Sequence, residues 1–176
     1  MPIVPKTDII NYIHSLVGKT SVHDIPIKFL ENKAFLVPVE ILKPHEQIIP
    51  SHLCEIIESI TTYQSFNQPI IVDARTLTVL DGHHRLEAVK ALGLNYIPAL
   101  FVDYAKDYVR VTTWRNNFLV DKKTVILAAH KKEYLPPKTS RHLLCGIRVY
   151  STNIPLRCLA DPRKCKLLYL DCANYF

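Results

Sequence analysis

Glycine is scarce in this sequence, with four in 176 residues. One stretch, Gly18-Lys19-Thr20, hints at a phosphate loop. Such a loop needs another glycine five positions before Gly18, where Ile13 stands, so a Walker-type loop is excluded. None of the five cysteines, Cys54, Cys145, Cys158, Cys165 and Cys172, forms a C-x-x-C pair. Zinc sites usually show closer pairs, so the even spacing of the last three reads as scattered thiols. A disulfide among them is compatible with a hyperthermophilic source. Hydrophobic residues make up 48% of the chain, yet no uncharged apolar run approaches the ~20 residues of a membrane helix. The opening Met1–Lys6 is followed by no apolar core of signal-peptide length. The expectation is a soluble cytoplasmic protein with no membrane partner. There is no internal repeat, low-complexity tract or long linker. Residues 1–176 are therefore expected to form a single domain, with 115–176 as a small C-terminal lobe in the alternative division. Acidic residues are outnumbered, giving a net charge of +6. That suits an anionic partner (nucleotide, nucleic acid or phosphorylated metabolite) without choosing among them.

The periodicity that is present predicts an α+β (mixed α/β) domain. Asp8–Val17 carries Ile9, Ile10, Ile13, Leu16 and Val17 on one helical face, with Thr7 and Gly18 as caps. Phe35–Ile41 is strand-like, and Leu42–Glu46 turns at Pro44. Ser51–Ile60 has helical spacing of Leu53, Ile56, Ile57 and Ile60. Pro69–Val72 and Leu77–Leu80 read as a hairpin, followed by a helix that ends at Gly93. Tyr96–Tyr104 and Tyr108–Trp114 read as strands, Asp121–Lys132 as a helix, and Leu143–Tyr150 as a last strand after the Pro136-Pro137 break.

The segment from Val79 to Ala88 carries the most chemistry. A hydrophobic strand enters a helix through Asp81-Gly82-His83-His84-Arg85. The first amides of a helix lack intrahelical partners, and the dipole adds positive potential, so a phosphate is well served there. Gly82 lets backbone approach an anion closely. His83, His84 and Arg85 add donors, and Arg85 can grip two phosphate oxygens. Asp81 suits either a helix cap or a ligand for the magnesium that accompanies a nucleotide.

Asp81-Gly82-His83-His84-Arg85 with Leu86-Glu87-Ala88 resembles the signature of the ParB/sulfiredoxin-like superfamily, and the His-His form resembles its free-serine kinase branch. Sulfiredoxins carry a reactive cysteine where this chain has His83. Val37–Glu46, Val111–Arg115 and Pro136–His142 resemble three further blocks of those kinases, so the likeness covers roughly residues 36 to 150. The resemblance implies a mixed sheet flanked by helices, magnesium, and ADP or ATP as phosphoryl donor. It makes Glu46 and Asp81 catalytic, with Asp81 also a metal ligand. It gives Gly82, His83, His84 and Arg85 to the nucleotide phosphates. Trp114, Lys138, Thr139, Arg141 and His142 fall to L-serine, and Ser140 stands where the family more often has a threonine. Chemically, a carboxylate beside a serine hydroxyl can orient it and accept its proton. The expected activity is formation of O-phospho-L-serine by a monomer or small homo-oligomer. The alternatives are a nucleotide-dependent DNA-binding protein or a regulatory ligand-binding module. The former usually needs a helix-turn-helix, for which the proline-broken tail offers no helix pair.

Overall fold

The computed structural model describes residues 32–115 and 118–165. The expected helix at 8–17, its caps and Cys172 lie outside them. Strand β1 (Ala34–Pro38) opens the described chain and is followed by a 3-10 turn over Val39–Ile41. The expected strand stops at Pro38 because a proline N has no proton to continue a ladder. Helix α1 (Pro50–Tyr63) starts on a proline at its first turn, where a missing N–H costs nothing. It ends at Gln64 in the left-handed conformation. A short strand β2 (Ser65–Phe66) leads to the hairpin β3 (Ile70–Asp73) and β4 (Val79–Asp81), then to α2 (His83–Ala91) and β5 (Tyr96–Val102).

Four of these strands, all but β2, form one mixed sheet in the order β1-β5-β3-β4, with β5 parallel to β3 and the other two pairs antiparallel. The parallel pair is joined by a crossover through α2. Both faces are covered, and the pleat divides the side chains between them. Ile70, Val72, Val79, Ile97, Ala99 and Phe101 pack with Leu86 and Val89 of α2 and with Ile60 of α1. Ile71, Leu80, Leu100 and Val102 point the other way. They meet Val109 of β6 (Val109–Thr113) and Val125 and Ile126 of α3 (Lys122–Lys131). Asp121 caps α3 by accepting from the Thr124 amide.

β6 pairs antiparallel with β7 (Ser140–Leu144), so that Thr113 lies opposite Ser140. This strand is thus earlier and shorter than the expected 143–150, and it is not the last. The Cys145 amide donates to the Tyr108 carbonyl, and Gly146, at φ +80°, turns the chain away. Beyond it, β8 (Ile154–Pro155) pairs with β2, and α4 (Leu156–Ala160) adds Cys158 and Leu159 to the first core cluster. Cys158 and Cys165 form a disulfide, so these two are not the scattered thiols their spacing suggested. Cys54 and Cys145 are free and exposed. No helix among the described residues is long and apolar enough to cross a membrane.

Candidate active site

Gly82 is the hinge of the site. It caps α2 at φ +99°, and an added Cβ there would lie 2.9 Å from the Ile70 Cβ and would collide with the Ile70 Cγ2. Only glycine lets β4 enter α2 so close to β3. The first backbone bond of the helix runs from Leu86 N to Gly82 O, and no side chain caps the amides before it. The amides at 83–85 therefore form the kind of donor cluster that holds an oxyanion.

Arg85 donates through Nη2 to Asp81 Oδ2 at 2.7 Å and through Nη1 to the carbonyls of Pro69 and Gln68. Asp81 is exposed and Arg85 is not, so the pair is a latch at the mouth of the turn. His84 accepts from the Ile49 amide at 2.8 Å, and burial, with His52 and Lys138 nearby, lowers its pKa. His83 is buried, its Nε2 accepting from the His45 amide, and burial holds it well below the ordinary histidine range.

The carboxylate of Glu46 is held across this turn. Its Oε1 accepts from the amides of Thr139 (2.9 Å) and Ser140 (2.7 Å) and from the Ser140 hydroxyl (2.9 Å). Its Oε2 accepts from the Lys138 amide at 3.1 Å. Three successive amides converge because Lys138 adopts the left-handed conformation at φ 55°, which forms an anion-binding nest. Bonds from Gln47 N to Leu135 O and from Leu135 N to His45 O fix the loop bearing Glu46.

Behind Glu46 lies a cluster of neutral histidines. His45 is fully buried, and burial drives it down to about 4. Its ring meets His83 at 4.5 Å and His142 at 5.8 Å, both edge-on. His142 is pushed down to about 3, first by burial and then by His45. Its Nε2 bonds the Tyr104 hydroxyl at 2.8 Å, while its Nδ1 lies enclosed beside Leu80 without a well-formed hydrogen bond.

Two cavities meet at Glu46 and His83. One of about 210 Å³ is lined by Asp81, Gly82, His84, Arg85, Trp114, Lys138 and Ser140, with His52 and Ile56 of α1. The other, of about 520 Å³, is lined by Pro44, Gln47, Ile48, Glu87, Lys90 and Tyr134. The structure thus gathers Glu46, Asp81, Gly82, His83, His84, Arg85, Trp114 and Lys138 round one cleft. It does not bring Thr139, Arg141 or His142 to the wall. The Thr139 side chain is buried and bonded to the Pro136 carbonyl, so this residue reaches the site only through its amide, on Glu46. Arg141 stacks on the exposed face of Trp114, Cζ 4.3 Å from the ring centroid. His142 belongs to the layer behind. Sequence reasoning gave no role to His45, Ser140 or Tyr104. The signal available was His45 adjoining Glu46 after Pro44.

Among the described residues, no three histidine, cysteine or acidic side chains are grouped to hold a metal ion. Asp81 alone suits a magnesium ion that arrives on a nucleotide, because that ion takes one or two carboxylates besides phosphate and water.

A glycine-hinged strand–turn–helix with uncapped amides thus faces an anchored carboxylate. The ParB N-terminal domain model matches residues 15–117, and the chain belongs to that family. It is 39% identical over 94 residues to an ATP-dependent L-serine kinase of Staphylothermus marinus, covering 51% of this chain and 36% of the relative. It is 32% identical over 114 residues to an ADP-dependent L-serine kinase of Thermococcus kodakarensis, covering 62% and 46%. The chain thus spans less than half the length of either. A solved free serine kinase in complex with AMP has the same fold, at a TM-score of 0.65 and 18% identity over 72% of this chain and 93% of that one.

Proposed function

We propose that this protein transfers a phosphoryl group from ADP or ATP to the hydroxyl of free L-serine, giving O-phospho-L-serine. The observation that carries this reading is the placement of Glu46. Its carboxylate is held by three amides and a hydroxyl in the same cleft as the uncapped start of α2. Two relatives described as L-serine kinases, one ATP- and one ADP-dependent, support the acceptor and leave both donors in play.

In the reaction, the terminal phosphates lie on the amides at 83–85, and Arg85 leaves Asp81 to meet them. Asp81, so released, would hold magnesium, which would neutralise phosphate charge. The smaller cavity has room for serine and the transferred phosphate, and the larger one for the nucleoside beside Tyr134. Trp114, backed by Arg141 on its exposed face, walls the acceptor, while Lys138, exposed beside His84, faces its carboxylate. Glu46 orients the hydroxyl and takes its proton during in-line transfer. Such catalysis is positioning and charge stabilisation. On this reading the work is done in the cytoplasm by a monomer or small homo-oligomer, without nucleic acid.

The test is incubation with magnesium, L-serine and ADP or ATP in separate tubes, with O-phosphoserine read by mass spectrometry. Product in either tube is the expected result, and Glu46→Gln should depress it about 100-fold or more while nucleotide binding holds. Absence of product from a protein that binds nucleotide would overturn the reading, and salt-sensitive DNA binding would then favour the partition-type alternative.

A further inference from the structure

The hydrogen bonds behind Glu46 hold one more link than they have protons. Three links run in line. His45 Nδ1 meets the Val79 carbonyl at 2.7 Å, His45 Nε2 meets Ser140 Oγ at 2.8 Å, and Ser140 Oγ meets Glu46 Oε1 at 2.9 Å. A carbonyl can only accept, so the one proton of a neutral His45 sits on Nδ1. Its Nε2 is then an acceptor, and the ionised Glu46 is another. Between them stands one hydroxyl with one proton. His83 Nε2 lies 3.2 Å from His45 Nδ1, where it accepts a share of the same proton, and His142 edges the ring from β7, so neither supplies the missing proton to its Nε2.

We propose that the Ser140 hydroxyl is a two-position donor that switches from Glu46 to His45 when Glu46 takes up the proton of the acceptor. This rests on Glu46 being the base. Before transfer, the ionised carboxylate is the stronger acceptor and holds the Ser140 proton. During transfer, the acceptor's O–H bond breaks, its oxygen bonds phosphorus, the bond from phosphorus to the nucleotide oxygen breaks, and the proton goes to Glu46 Oε1, the oxygen that Ser140 faces. The neutral carboxyl is a weaker acceptor. The Ser140 hydroxyl turns to His45 Nε2, and its oxygen can accept the new carboxyl proton. All three links are then satisfied, with no charge placed on His45. Ser140 is thus a positioning residue that serves both protonation states of the base, and His45 is its second seat.

Two measurements test this. In the phosphoserine assay, Ser140→Ala should lower kcat about tenfold to hundredfold, the loss of one hydrogen bond to a charged group. KM for serine should stay within about threefold, and Ser140→Thr should restore kcat, because the hydroxyl alone is needed. An unchanged kcat in Ser140→Ala, or no rescue by threonine, overturns the proposal while leaving the kinase reading intact. The second measurement needs no turnover. In 15N-histidine spectra, Glu46→Gln, which mimics the protonated base, should shift the His45 Nε2 signal towards a hydrogen-bonded acceptor, and Ser140→Ala should abolish that shift. An Nε2 signal indifferent to both changes overturns the switch even if no phosphoserine is made by the wild type.

Discussion

Replacing Gly82 with alanine probes the hinge directly. Two costs add. The left-handed backbone at φ +99° costs roughly 1–2 kcal/mol for a residue with a Cβ. The new methyl also enters space held by Ile70, which is fully buried in the middle of the sheet, 2.9 Å from its Cβ and closer still to its Cγ2. Overpacking of this kind costs about 1–3 kcal/mol. Gly82→Ala should therefore lose about 2–5 kcal/mol in urea unfolding, the sum of those two ranges. The two parts separate in a double-mutant cycle. In an Ile70→Ala background the Cγ2 collision goes while the Cβ contact at 2.9 Å stays, so the same change should cost less than in the wild type and somewhat more than the backbone share of about 1–2 kcal/mol. Nucleotide binding should weaken about tenfold or more in the single variant, because the amides at 83–85 shift with the turn. An equal cost in both backgrounds would refute the collision, and wild-type stability of Gly82→Ala would refute the hinge.

Other predictions follow from the layers around the site. His45 and His142 have folded pKa values of about 4 and 3, well below an unfolded histidine near 6.5. Both are neutral above that unfolded value, where their contribution is fully present. As pH falls from 6.5 towards 4 only the unfolded chain takes up protons, so stability should drop by up to about 2.7 kcal/mol per pH unit from the pair. Urea melts at pH 7, 6 and 5 read this, and a flat profile would exclude the burial described. Reducing the Cys158–Cys165 bridge, whose ends are seven apart in sequence, should cost about 2–3 kcal/mol in thermal unfolding. Arg141→Ala removes the cation from the Trp114 face and should raise KM for serine several-fold with the nucleotide KM unchanged. Equal effects on both KM values would place Arg141 elsewhere.

Much of the scaffold was legible because its signals are local. The helix over 50–63 announced itself through Leu53, Ile56, Ile57 and Ile60, and the β3–β4 hairpin through its turn. The strand–turn–helix at Gly82 was readable because glycine, a short polar run and a helical face adjoin in sequence. The limits are those of distance along the chain. Nothing near Ser140 says that β7 begins there, since its partner is Thr113 in β6. The histidine layer is assembled from positions 45, 83 and 142, three elements whose burial is a tertiary fact. Thr139 looked like a ligand because hydroxyls bind ligands. Its hydroxyl instead closes the turn on Pro136, and only its amide serves the site.

Glu46 receives its amides from residues 92 to 94 positions further along. The sheet and the glycine turn are complete by Val102, yet the carboxylate has no seat until β7 has docked beside β6. A chain still emerging from the ribosome, or one clipped before Lys138, could present the uncapped start of α2 to a nucleotide while its base hung loose. On the proposed reading, phosphate capture and phosphate transfer are thereby separated in the order of folding. Residues 138–140 act as the catch: until they are in place, Glu46 lacks the amides that hold it.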